Sequence, residues 1–276
     1  MGEVRALRAY FRGQMSDWLY SLRTAVSLIV ILLLCWLNGD TLRNYLENAG
    51  MRITALEALF YFFSSGFGNI LLSSSLFLVM MAEIPYQRSV QNLLLLRTSK
   101  VRWMLAQIFF YMIIVMLTVF TMSLVALGAS SGALIFFPEW SDRSVLSDLT
   151  GLERIVPEYA ISMSPVKANF VAAGLLIAFW FTMCMVLFVC TMCGLPHLGP
   201  AIYIIILTMA TTILWESLPD FLRSFPTNFA TLGAIARNFP GEEIKVAGDA
   251  LIAMLSFDLI AVFLCGVMVK RRDLSF

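Results

Sequence analysis

Long runs of apolar residues dominate this chain, and the polar positions fall in clusters between them. The first 20 residues have another pattern. Val4, Leu7, Phe11, Met15 and Trp18 recur at helical spacing, with Arg5, Arg8 and Arg12 on another face. Residues 3–18 therefore read as an amphipathic helix in the plane of a membrane interface, its arginines among the headgroups. Six apolar runs follow, at about 19–37, 55–82, 103–127, 170–192, 198–215 and 250–269. Most approach the ~20 residues that a helix needs to cross about 30 Å of hydrocarbon. The fold expected is all-α: a polytopic membrane protein of six transmembrane helices forming a single domain over residues 1–276.

The polar clusters supply the connections. Residues 38–54 read as a short loop and 128–168 as a long one, punctuated by Pro138, Pro157 and Pro165. Val145 to Ile155 has room for one short helix in it, with Ser144 or Asp148 as a cap. The turn Cys193 to Pro200 is very short. Residues 216–248 carry Pro219, Pro226 and Pro240 between Phe221, Phe225, Phe229 and Phe239. That segment is too polar to span and too apolar for a free loop. It is expected to form short re-entrant helices at the outer leaflet, their irregular backbone covered by protein or touching water.

Composition agrees with the pattern: 60% of residues are hydrophobic and 13% charged, against about 25% charged in soluble domains. Charge sets the orientation. Eleven basic residues fall on one side: Arg5, Arg8, Arg12, Arg23, Arg88, Arg97, Lys100, Arg102, Lys270, Arg271 and Arg272. Only Glu3, Asp17, Glu83 and Asp273 accompany them. The rule that Lys and Arg stay inside places both termini and the turn at 83–102 in the cytosol. An even number of spans satisfies this. The first apolar run lacks a small-x-small cleavage site after Trp36 and reads as a retained span. The cysteines (Cys35, Cys184, Cys190, Cys193 and Cys265) lie in apolar runs or at their ends, so no extracellular disulfide framework is expected.

Motifs for chemistry are missing. The chain contains no Gly-Lys dipeptide and hence no P-loop. The single histidine, His197, forms Cys190-x-x-Cys193-x-x-x-His197, which supplies too few ligands for a structural metal site. Ser65-Gly66 and Ser131-Gly132 lack the first glycine of the Gly-x-Ser-Gly nucleophile of rhomboid-type proteases. His197 also belongs near the wrong membrane face for either serine. The chain is not expected to be an enzyme, to carry a cofactor or to bind nucleic acid.

Ionisable residues deep in a membrane are the best functional pointers, and Asp258 is the clearest. It lies twelve residues from Lys270, about 18 Å from the inner boundary. It reads either as a pathway residue or as the hydrogen-bonded partner of a Ser or Thr on a neighbouring span. Ser65 and Asn69, in the small polar stretch 64–69, are further pathway candidates, or mark a close helix contact. Glu57 is expected to reach interface water and Asp249 to act as an N-cap. Met104, Met112, Met116, Met122, Met183, Met185 and Met192 suit either an adaptable apolar pathway or packing.

The turn from Glu83 to Arg102 carries the most specific pattern. Glu83 closes the second span, Arg88 follows, then Leu93 to Leu96, then Thr98-Ser99-Lys100 into the third span. With the N-terminal helix, six spans and inner termini, this resembles the membrane subunit of type-2 ABC transporters. Pro85-Tyr86 stands where that family has a basic run, and Ser89-Val90 where a glycine is common. The resemblance covers nearly the whole chain. It implies an exporter permease in the bacterial cytoplasmic membrane, with Glu83, Tyr86 and Arg88 contacting a separate ATPase dimer. It also implies a second permease chain, identical or not, and an apolar or amphipathic cargo such as a peptide, drug or lipid. The alternative is a non-transporting scaffold or sensor subunit that holds a cytosolic partner through the same turn.

Overall fold

The computed structural model describes residues 2–64, 67–82, 99–135, 137, 139–141, 158–211, 229–239 and 241–271. Of these, 85% are helical. In chain order the elements are α1 (Gly2–Tyr20), α2 (Leu22–Asn48), β1 (Ile53–Thr54), α3 (Ala55–Ser64), α4 (Phe67–Met81) and α5 (Lys100–Ser130). After a single 3-10 turn come β2 (Leu134–Ile135), α6 (Glu158–Ile161), α7 (Pro165–Met192), α8 (Leu198–Thr211), α9 (Leu232–Asn238) and α10 (Glu243–Arg271).

Among the described residues four helices are long and apolar enough to cross a membrane: Leu22–Asn48, Lys100–Ala133 including the 3-10 turn, Pro165–Met192 and Glu243–Lys270. The other two expected spans are described in part. Of the run 55–82, the described parts are α3 and α4, with residues 65–66 outside the described residues. Of the run 198–215, the described part is the 14-residue α8.

Helix α7 is the centre of the bundle. It packs against α3, α5, α8 and α10. In its most apolar stretch 67% is buried, against 28% in α2 and in α10. An α7 surrounded by protein needs no polar face, and its sequence is apolar all round. The outward faces of α2, α5 and α10 carry Ile29, Leu33, Phe109, Phe120, Leu259 and Phe263 exposed. In a soluble protein such continuous apolar faces would aggregate; on a helical membrane protein they are what lipid covers.

The stretch 38–54, expected as a loop, is helical as far as Asn48. Its polar residues support the helix instead of ending it. Arg43 pairs with Asp40 (3.2 Å) and Glu47 (3.5 Å), and Asn44 bonds Asp40 (3.1 Å), all at i,i+3 or i,i+4 spacing. Leu42 and Leu46 stay buried on the other side. Helix α2 ends at Gly50, whose φ of 61° allows the Met51 N–H to reach the Leu46 carbonyl. Gly194 (φ 79°) ends α7 in the same way.

Helix α2 crosses α5 at Gly39. A Cβ there would lie 2.7 Å from the Ala129 Cβ and 2.8 Å from the Ala126 carbonyl oxygen. Gly39→Ala is therefore expected to destabilise the bundle by about 1–3 kcal/mol through overpacking. Gly128→Ala, which meets nothing within 4 Å, serves as the control. Melting followed with a thiol-reactive dye reads both, since all five cysteines are free and four are buried.

The interfacial reading of α1 is extended by its contacts. Phe11, Met15 and Trp18, three of the expected apolar positions, face the rest of the chain. Phe11 meets Phe110 edge-on at 5.5 Å, and Gln14 donates to Gln107 at 2.7 Å, both glutamines being buried. A single non-helical residue, Ser21, separates α1 from α2.

Candidate functional site

The end of the bundle that holds the α2–α3 and α5–α7 connections is tied together by Glu57. The sequence Thr54-x-x-Glu57 forms a reciprocal capping box at the start of α3. The Thr54 N–H donates to Glu57 Oε2 (2.7 Å), and the Glu57 N–H donates to Thr54 Oγ1 (3.2 Å). Ser141 then donates from its N–H to Glu57 Oε1 (2.5 Å) and from its hydroxyl to Oε2 (3.1 Å). Glu57 is 0% exposed, not at interface water as its position in the chain suggested. Pairing of β1 with β2, in parallel, brings the segment after α5 over the start of α3. There Trp140 donates to the Met163 carbonyl (2.8 Å) and stands edge-on to Phe60.

A second polar node fixes α4 and α8 to the central helix. The Trp180 indole N–H donates to Ser74 Oγ (2.8 Å), the Tyr203 hydroxyl donates to the Ser74 carbonyl (2.9 Å), and Phe77 stacks on Trp180 at 4.4 Å. All four residues are fully buried. A serine, a tryptophan and a tyrosine in separate apolar runs carry no local sign that they will meet.

Asp258 lies midway along α10 and is 4% exposed. The Thr182 hydroxyl on α7 donates to Asp258 Oδ2 at 3.1 Å, while Oδ1 has no partner among the described residues. Beside this pair is a cavity of about 500 Å³ between α7, α8 and α10, with Phe229 also in its wall. Its walls are hydrocarbon and sulfur apart from the Thr182 hydroxyl, and include Met183, Ile202, Met254 and Phe257. The arrangement offers an apolar volume with one buried carboxyl behind its wall. Its one thiol, Cys190, has no base beside it among the lining residues, and among the described residues no three His, Cys, Asp or Glu side chains gather as a metal-ligand set.

The other expected site residues distribute as follows. Glu83, Tyr86 and Arg88 lie outside the described residues, as do Ser65 and the candidate cap residues Ser144 and Asp148. Asn69 lies on α4, without a described side chain. Asp249 is the seventh residue of α10 and not its cap, because the helix already begins at Glu243. Met104, Met122, Met185 and Met192 are buried in packing, Met112 and Met116 face outward, and Met183 reaches the cavity. Cys190 is buried whereas Cys193 and His197 are exposed, and the Cys193 thiol sits 3.5 Å from the Met268 sulfur. Thr182 is the participant that sequence reading did not name. A polar residue between Phe181 and Met183 in an otherwise apolar run was the available signal.

Comparison of the chain with protein-family models, with curated proteins and with solved structures returns no match.

Proposed function

We propose that this chain is the permease subunit of an ATP-driven exporter, forming a translocation pathway for an apolar or amphipathic cargo. ATP hydrolysis resides in a separate subunit, and a second permease chain completes the pathway. The observation that carries the reading is the apolar cavity beside Asp258 and Thr182, set against the central helix of a bundle with four helices of spanning length. A cavity of this size falls in the range of ligand sites, and intramembrane carboxyls face pathways more often than lipid.

In this reading the basic end of the chain faces the bacterial cytosol, and Glu83, Tyr86 and Arg88 contact the ATPase. Nucleotide-driven closure of the ATPase dimer moves the turn at 83–102 and α1. Rigid helices carry the shift to the cavity as a two-state change. The docking of α1 on α5 through Gln14–Gln107 gives that movement a second route into the bundle.

The test is reconstitution with a separate ATP-binding subunit, sought among the products of the neighbouring genes. ATPase activity in proteoliposomes is expected to require both chains and to fall about tenfold or more in Glu83→Ala and Arg88→Ala, as loss of buried charge contacts at an interface does. Co-purification that survives deletion of residues 84–92 overturns the coupling, and leaves the chain as a scaffold holding its partner elsewhere.

A further inference from the structure

Asp258 is a buried carboxyl with one unused acceptor oxygen. Its side chain is buried in an apolar helix bundle, and one oxygen is satisfied by Thr182 while the other is not. No lysine or arginine among the described residues forms an ion pair with it. A carboxyl left half-bonded in hydrocarbon is costly, and a partner that brings both a positive charge and N–H donors removes that cost.

The space for such a partner is adjacent. Phe257 and Met254, one and four residues before Asp258 on α10, line the cavity, as does its hydrogen-bond partner Thr182. Met254, unbranched and adaptable, is part of the cavity wall, while Asp258 itself lies behind that wall and its Oδ1 is sealed from solvent. The walls offer nothing to an anion and nothing to a strongly hydrated solute.

We propose that this cavity binds an apolar amine, its hydrocarbon body between α7, α8 and α10 and its ammonium donating to Asp258 Oδ1. The assignment deepens the permease reading, because it names the class of cargo that the pathway takes. It also makes Thr182 a positioning residue: it occupies Oδ2 and leaves Oδ1 as the oxygen for the ammonium, which reaches it once the wall side chains shift.

Two matched probes test this on the purified full chain in lipid nanodiscs by equilibrium dialysis. One is 2-(1-naphthyl)ethylamine, the other its neutral counterpart 2-(1-naphthyl)ethanol. The unchanged chain is expected to bind the amine about tenfold or more tightly than the alcohol, the scale of one charge-assisted hydrogen bond. Asp258→Asn removes that preference while leaving alcohol binding, and Ala253→Phe, which fills the cavity, removes both.

Equal binding of the two probes overturns the proposal and leaves a plain hydrophobic slot of the kind an acyl chain fills. So does a lack of binding by the unchanged chain, or an amine preference that survives Asp258→Asn. The comparison of probes on the unchanged chain keeps the test decisive should Asp258→Asn fold poorly. No ATPase is needed, so a failure here is separate from a failure of coupling. Amine binding here, together with an ATPase activity in the coupling test that does not depend on this chain, would retain the site and remove the exporter.

Discussion

Gly233→Ala is expected to unseat α9 and open the cavity. A Cβ at Gly233 would overlap the carbonyl oxygen of Ser64, at the end of α3, and lie 3.0 Å from its carbonyl carbon. Both sides of this contact are backbone, so no rotamer change relieves it. Either α9 moves or α3 does. Helix α3 is bound at its start by the Glu57 box and packs on α7, α5 and α2. Helix α9 is seven residues long, held by its Thr231 cap on the Ala234 N–H (3.1 Å) and by Leu232 and Ile235 in the core. The shorter helix gives way. Phe229, stacked on Phe239 at 5.9 Å, moves with it and widens the cavity whose wall it forms.

The cost is at or above the top of the range for overpacking, about 3 kcal/mol. That lowers the melting temperature by at least about 5 °C for a chain of this size. Faster thiol labelling of Cys190, which lines the cavity and is buried in the unchanged chain, is the site-specific readout. Gly248→Ala is the control. It lies within α10, meets nothing within 4 Å, and is expected to be neutral or mildly stabilising, as alanine favours a helix over glycine. Normal melting and labelling of Gly233→Ala would show that α9 does not sit on Ser64.

Glu57→Ala is the second large effect expected. The substitution removes the acceptor for the Thr54 N–H, the Ser141 N–H and the Ser141 hydroxyl at once. The two backbone donors are then left inside protein with no alternative partner on residue 57. Unsatisfied buried donors cost about 1–3 kcal/mol each, so a loss of roughly 3 kcal/mol is the expectation. Ser141→Ala, which removes only the hydroxyl, is expected to cost about 1 kcal/mol. The larger variant also frees residues 139–141 from the start of α3. A cysteine introduced at Ser141 is therefore expected to label several-fold faster when Glu57 is replaced. Equal labelling rates would show that Trp140 and its bond to Met163 hold the segment without Glu57.

Glu57 also shows what could and could not be read in advance. The letters Thr54-x-x-Glu57 before the run Ala58 to Phe63 are a capping-box signature, and they place the start of α3. Nothing near Glu57 in the chain announces Ser141, 84 residues away. A carboxylate near the end of an apolar run is ordinarily met by water, and here the strand pair β1–β2 replaces water with protein. The same division appears at residues 38–48. Asp40, Arg43 and Glu47 resemble a loop by polarity, yet their i,i+3 and i,i+4 spacing supports a helix once Gly39 allows α2 to press on α5.

At the cavity the depth of Asp258 was legible, because the distance along a helix to the basic residues at its end follows from 1.5 Å per residue. Its possible partnership with a Ser or Thr of another span was legible as a type of contact. That the residue is Thr182 was not, because α7 is apolar on all faces and its rotation leaves no periodic trace. The same holds for Ser74, Trp180 and Tyr203.

The sequence by itself determined the helical class, the apolar runs, the charge asymmetry and the single deep carboxyl on α10. These are local or summed properties: transfer of side chains from water to hydrocarbon, and backbone hydrogen bonds closed within each helix. The tertiary structure alone decided that α7 is central and that α3 ends against Gly233. It also decided that Glu57 is buried and that Asp258 meets Thr182 beside a cavity. Those depend on how helices rotate and cross, which is set by close packing between residues far apart in the chain.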